Sequence, residues 1–231
     1  MAAYNQDGLT SIHNHDFMQD EGFCAAYNRG VKAVGVDYHW HWRVHIGLWA
    51  AKSASHLPGD FVECGVNAGF MSSSIMYALN WDALGKTFYL LDTFRGIHKD
   101  QVSQEEIQEG ILYTNAKLLA NKFYVTSSKR VRENFSQWTD IQIIEGVIPD
   151  TLTQINSSQI AFIHIDLNCA PPEVAALEYL WPKMVPGGIV LLDDYAYSKY
   201  HHQKSAMDCL ASKLGCAIAS LPTGQGLILK S

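Results

Sequence analysis

No apolar run in this chain of 231 residues approaches the roughly 18 that a membrane-spanning helix needs. The opening stretch, Met1 to Asp16, is polar and lacks the apolar segment of a secretory leader, which points to the cytoplasm. A basic stripe is missing too. Lys and Arg number 17 against 23 Asp and Glu, a formal charge of −6, so the chain carries neither a nucleic-acid footprint nor a polybasic membrane anchor. The five cysteines, Cys24, Cys64, Cys169, Cys209 and Cys216, form no CxxC pair; that spacing fits reduced, buried thiols and not a disulfide framework or a zinc knuckle. Repeats and low-complexity tracts are also lacking. What is present is 48% hydrophobic residues, enough for a real core, in a length that is long for one domain and short for two. A homo-oligomer is compatible with these numbers.

Residues 1–58 read as a mostly helical preface or lid, and 59–231 as one globular site-bearing domain. Trp40, Trp42, Val44, Leu48 and Trp49 make an apolar stripe at helical spacing that runs to about Ala54 and ends at Leu57-Pro58-Gly59-Asp60. Strand-like runs then alternate with helical patterns. The strands are 61–64, 87–92, 141–145, 161–166 and 188–193, with a closing pair at 216–221 and 227–230; the helices include 70–79, 172–180 and 203–214. Continuously apolar strands are buried on both faces, as in a parallel sheet covered by helices. Ligands of such sheets sit at the carboxyl ends of the strands. Four strands here end in an acid or run into one: Glu63, Asp92, Asp166 and the pair Asp193-Asp194.

Glu63-Cys64-Gly65-Val66-Asn67-Ala68-Gly69 links the first of these strands to a helix. Gly65 permits a sharp turn and Gly69 a close approach of backbone. The spacing is G-x-x-x-G, not the G-x-G-x-x-G of a dinucleotide fingerprint. Glu63 would repel a pyrophosphate but suits the ammonium of an amino-acid cofactor, and Asp92 suits a pair of ribose hydroxyls. Asp166, Asp193 and Asp194 lie on strand ends that a doubly wound sheet makes neighbours. Three carboxylates in one cleft need a cation between them, and oxygen donors point to a hard ion such as magnesium. Asn168 could add a carbonyl. The alternative is that one aspartate caps the next helix and another faces water.

With these motifs the chain resembles the macrocin O-methyltransferase (TylF-like) family, within the class I S-adenosylmethionine-dependent methyltransferases. The resemblance rests on GDFVECGVNAGF at 59–70, LLDTFRG at 90–96, IIEGVIPDTL at 143–152, IHIDLN at 163–168, VPGGIVLLDDY at 185–195 and LPTGQGLILK at 221–230. It implies a Rossmann-like α/β fold with a seven-stranded, mostly parallel sheet whose last strand is reversed. It implies an enzyme that methylates a sugar-like hydroxyl, usually with magnesium. On the matching positions, Glu63, Gly65, Asn67 and Gly69 would hold the methionine end of S-adenosylmethionine. Asp92 would hold the ribose, Gly146 and Val147 would flank the adenine, and Asp166, Asp193 and Asp194 would bind Mg2+. The family often has Asp-Gly-Asp where this chain has Asp166-Leu167-Asn168, and Leu-Tyr-Glu-Ser-Thr where it has Cys169-Ala170-Pro171-Pro172, so the substrate-facing wall differs.

Asp166, His201 and His202 are the candidate proton acceptors, since a neutral imidazole or a carboxylate near the cleft can take a hydroxyl proton. His39, His41 and His45 are interleaved with tryptophans and read as packing groups. His164, mid-strand, reads as a satisfied core histidine. The polar stretch 97–128 reads as a lid or a solvated helical excursion. Two other functions compete with this one. An NAD-dependent oxidoreductase is disfavoured by the missing G-x-G-x-x-G, and a non-catalytic subunit that keeps the cofactor fold is disfavoured by the intact acids.

Overall fold

The computed structural model describes residues 3–231. The first surprise is local. Where the preface was expected to be mostly helical, the chain begins with an antiparallel hairpin of β1 (Tyr4–Gln6) and β2 (Leu9–Ser11). Asp7 and Gly8 both have positive φ, 49° and 72°, the conformation a tight two-residue hairpin turn requires and the one an Asp-Gly pair tolerates best.

Two helices follow, α1 (Glu21–Val34) and α2 (His41–Ser55). Asp20 starts α1 by accepting a hydrogen bond from the Phe23 amide, and Gly35 ends it in the left-handed conformation. Then come β3 (Asp60–Cys64), α3 (Phe70–Ala78) and β4 (Phe88–Asp92). The 97–128 stretch contributes α4 (Gln104–Gln108) and α5 (Ile111–Ala120), and α6 (Ser128–Phe135) leads to β5 (Ile141–Glu145). The second half runs β6 (Ile160–Ile165), α7 (Ala170–Leu180), β7 (Met184–Leu192), α8 (His201–Leu214), β8 (Ala219–Ser220) and β9 (Gly226–Leu229). Prolines sit in the first turn of α7, where no amide hydrogen is needed.

The seven strands from β3 to β9 form one sheet in the order β5-β4-β3-β6-β7-β9-β8. All pairs up to β7 are parallel, and β9 is antiparallel to both of its neighbours. The expected sheet with its reversed final strand is therefore present. β7 starts four residues earlier than read, at Met184, and the strand before β9 is shorter.

The two sheet faces carry two apolar clusters. On one, Phe61, Phe88, Leu90, Phe162 and Leu191 pack with Phe23, Tyr27, Val44, Ala50 and Ala54 of α1 and α2, so the preface and the sheet share a core. On the other, Val62, Leu91, Ile163, Val190 and Leu192 pack with Leu177 and Leu180 of α7 and Met207 and Leu210 of α8. Among the described residues, no helix is long and apolar enough to cross a membrane.

Candidate active site

Strand alternation builds the site. Side chains two residues apart share a face. Phe61, Phe88, Phe162 and Leu191 are buried in the face under α1–α3, and two residues on from Phe61, Phe162 and Leu191 come Glu63, His164 and Asp193; Asp92 is four on from Phe88. The face is apolar until its carboxyl edge and charged there. Glu63 and His164 are register partners on adjacent strands, so their side chains meet: His164 Nδ1 lies 2.9 Å from Glu63 Oε1. On the other side His164 Nε2 is 3.4 Å from Asp193 Oδ1.

A cavity of about 290 Å³ opens at this edge. Its floor includes Glu63, Gly65, Asp92, His164, Asp166, Asp193 and Asp194, and its outer wall includes Tyr38, Trp40, Arg43, Phe123, Tyr124 and Tyr200. Gly65 is a position no other residue fits. Its φ is +90°, and a Cβ there would lie 1.8 Å from the carbonyl oxygen of Asp166, so the β3 and β6 ends approach backbone to backbone.

The cation that the aspartates require comes from the chain itself, and sequence reasoning missed it. Arg43 of α2 is buried at 4% exposure. Its Nη1 lies 2.5 Å from Asp193 Oδ2 and 3.6 Å from Asp194 Oδ1, while Nε bonds Asp7 of the hairpin at 3.1 Å. The only sequence signal was a single arginine in the run His41-Trp42-Arg43-Val44, which a reading of hydrophobic period passes over. Asp193 is thereby spent: Arg43 holds Oδ2, and Gln225 donates to Oδ1 at 3.0 Å. Burial would raise the Asp193 carboxyl, but Arg43 and His164 hold it well below the usual carboxylate range. Burial would lower His164, yet the neighbouring carboxylates of Asp193 and Glu63 outweigh that and push it up to about 10; it bonds Glu63, while its Nε2 lies near Asp193 without a hydrogen bond, so it is more than a core filler.

Asp166 has no such partner, and Asp194 has only the longer 3.6 Å contact with Arg43. Burial, with Asp193 and Asp194 nearby, pushes Asp166 well above its usual range. Burial and Asp193 push Asp194 up to about 7. Asp166 Oδ1 accepts from Asn168 Nδ2 at 2.8 Å, and Asn168 Oδ1 accepts from the Tyr200 hydroxyl at 2.9 Å. These two carboxylates are the less compensated of the three, since both are pushed up while Asp193 is held down. Of the three expected metal ligands, Asp193 is the one already neutralised from across the cavity, which sets it apart from Asp166 and Asp194.

The cofactor-loop residues divide in the same way. Glu63 Oε2 is buried with no hydrogen-bond partner. Asp92 Oδ2 accepts from the amides of Val66 and Asn67 at 2.8 and 2.7 Å, and Oδ1 from that of Phe94 at 2.6 Å. Asn67, φ 49°, uses its side chain as a clamp: Nδ2 donates to Phe123 O at 3.0 Å and Oδ1 accepts from Val125 N at 2.9 Å. Gly69 starts α3 at φ +87° beneath the Phe135 ring. Gly146 donates to the Asp92 carbonyl at 2.9 Å, which puts it beside the expected ribose acid, but neither it nor Val147 lines the cavity. The 97–128 stretch is anchored to the site: Glu106 accepts from the Ala170 amide at 2.8 Å, and Gln101 donates to the Ile148 carbonyl.

His201 and His202 are not brought to the cavity. Both turn to Glu109, with Nε2 to Oε1 distances of 3.2 and 3.1 Å, because the start of α8 faces the α4–α5 junction and not the strand ends. His41 stacks on Tyr27 at 4.3 Å and His45 on Phe17 at 4.0 Å, as packing groups do.

A family model described as Macrocin-O-methyltransferase (TylF) matches residues 49–209. The 8-demethyl-8-(2,3-dimethoxy-alpha-L-rhamnosyl)-tetracenomycin-C 4'-O-methyltransferase of Streptomyces olivaceus is 30% identical over 62% of this chain and 55% of its own length. The chain therefore spans little more than half of that relative. Mycinamicin III 3''-O-methyltransferase of Micromonospora griseorubida is 24% identical over 74% of this chain and 72% of its own length. The solved structure of the O-methyltransferase NovP superimposes with a TM-score of 0.69 at 21% identity, covering 82% of this chain and 79% of that one.

Proposed function

Because this chain belongs to the macrocin O-methyltransferase (TylF) family, we propose that it moves the methyl group of S-adenosylmethionine onto a hydroxyl of a sugar or sugar-like small molecule. The observation that carries this reading is Glu63 Oε2, a buried acceptor with no partner on the floor of the cavity. An ammonium is what it lacks, and the amino-acid end of that cofactor brings one. A buried, unsatisfied carboxylate oxygen is costly, so the ligand's arrival removes a penalty. The sugar is inferred from relatives, one of which is named for a rhamnosyl compound. Five free thiols suit a reducing cytoplasm, where we place the protein.

The chain's own residues then have distinct duties. Glu63 holds the ammonium, and the backbone at Gly65 and Gly69 keeps the cofactor loop clear. Asp92 keeps the loop folded through its three amide bonds and has lone-pair capacity left for a ribose hydroxyl. Asp166, raised by its neighbours and oriented by Asn168, takes the acceptor's proton. Asp166 and Asp194 are the pair that would hold magnesium, which when bound would supply Lewis acidity that makes the hydroxyl easier to deprotonate. Arg43 and His164 hold Asp193, which keeps that strand end in place.

Isothermal calorimetry tests the core of this. S-adenosylhomocysteine should bind in the micromolar range or tighter, about −8 kcal/mol, and Glu63→Gln should weaken it. Binding of NADH in its place would overturn the reading. Mass spectrometry with labelled cofactor and nucleotide sugars then identifies the acceptor.

A further inference from the structure

The cavity is not the only place where chelating side chains meet. Among the described residues, one group of three His, Cys, Asp or Glu side chains brings a ligand atom from each within 4.8 Å of the others, and it is Glu109, His201 and His202. Glu109 closes α4, and the two histidines open α8. We propose that they form a site for a transition-metal ion, zinc foremost, which ties the 97–128 segment to α8 outside the cavity.

The spacing carries the proposal. Two ligands each about 2.0–2.1 Å from a tetrahedral zinc stand roughly 3.3–3.4 Å apart. Glu109 Oε1 lies 3.2 Å from His201 Nε2 and 3.1 Å from His202 Nε2, close to that edge length. His202 Nε2 is buried and makes no hydrogen bond, although the carboxylate oxygen is within reach; it is near but not aligned to donate. A neutral imidazole in that position offers a lone pair to the space the three atoms enclose. Two imidazoles and one carboxylate suit zinc, cobalt or nickel and not magnesium, so the site differs in chemistry from Asp166 and Asp194. The protein supplies three ligands, and water completes the tetrahedron. Leu118, Phe123 and Tyr124 of the tied segment line the cavity, so an ion at Glu109 stiffens the cavity's outer wall.

The test is equilibrium dialysis of the full chain against zinc, with bound metal counted by atomic emission and thermal unfolding followed in parallel. One zinc per chain and a raised Tm are expected, with a tetrahedral cobalt absorption band on substitution. His202→Ala and Glu109→Gln should each weaken binding by about tenfold or more, since even groups behind metal ligands are worth that much. Asp194→Asn and Cys209→Ser should leave it unchanged. Absence of stoichiometric zinc, or binding that survives in a folded His201→Ala/His202→Ala double variant, overturns the proposal. Loss of binding on Cys209→Ser alone also overturns it, by assigning the zinc to that exposed thiol.

Discussion

The cavity has a sheet wall and a helical wall, and they contribute opposite things. The sheet wall supplies Glu63, Asp92, Asp166, Asp193 and Asp194, acidic side chains delivered by strand ends, with His164 among them. The helical wall supplies Tyr38, Trp40, Phe123 and Tyr124 together with one cation, Arg43. The walls are joined by a few polar bonds: Arg43 to Asp193 and Asp194, and Asn67 to the backbone of Phe123 and Val125. A parallel sheet concentrates negative charge at one edge, and the segment packed over it must return some positive charge or the edge will not stay closed.

The strongest way to break that balance is Arg43→Met. Removing one partner of a buried ion pair leaves an uncompensated charge and costs about 3–5 kcal/mol. Urea unfolding should show a loss of that size, and Asp193→Asn in the same chain should recover part of it. A loss below about 1 kcal/mol would mean that Asp193 and Asp194 do not depend on Arg43.

A sharper contrast lies within the aspartates. Asp194→Asn should lower turnover by roughly a hundredfold, the scale for losing one charged group at a transition state, with S-adenosylhomocysteine affinity within a few-fold. Asp193→Asn should instead show its damage in unfolding. Chelator should depress turnover and magnesium restore it. Full turnover in chelator would leave Arg43 and His164 as the counter-charges of the edge.

Asn67→Ala tests the second join and should cost about 1–3 kcal/mol, as it leaves the Phe123 carbonyl and Val125 amide without their partner. Limited proteolysis should become faster within 97–128. Cleavage at the parental rate would show that Glu106 and Gln101 hold the segment without it.

The smallest effect concerns His164. Its folded pKa, about 10, lies above the ordinary histidine value near 6.5. The stabilisation from its charged form is therefore complete below about 6.5 and is lost as pH rises through about 10. The stability gap between the parent and His164→Gln should narrow over that window. A gap that stays constant from pH 7 to 10.5 would mean that His164 is neutral in the folded protein.

The sheet wall was legible in the sequence because four continuously apolar runs end in an acid or run into one, at Glu63, Asp92, Asp166 and Asp193-Asp194, and ligands of a parallel sheet gather at those carboxyl ends. The G-x-x-x-G loop was legible from its glycine spacing between a strand and a helix. The helical wall was not. Arg43 meets residues 150 positions away, and nothing in its own stretch announces that. His201 and His202 were placed by nearness in sequence to Asp194, but the turn at 195–200 carries them to Glu109. The hairpin was missed because a three-residue strand has too few side chains to show an alternation.

That hairpin has a consequence for anyone who handles the protein. Asp7, whose side chain is 6% exposed, holds Arg43 Nε at 3.1 Å, and Tyr197 reaches the same aspartate at 3.3 Å. The hairpin is thus wired to the reactive edge through Arg43 and Tyr197. A version trimmed at residue 12 to tidy an apparently dispensable end would drop an acid from the network that positions Arg43.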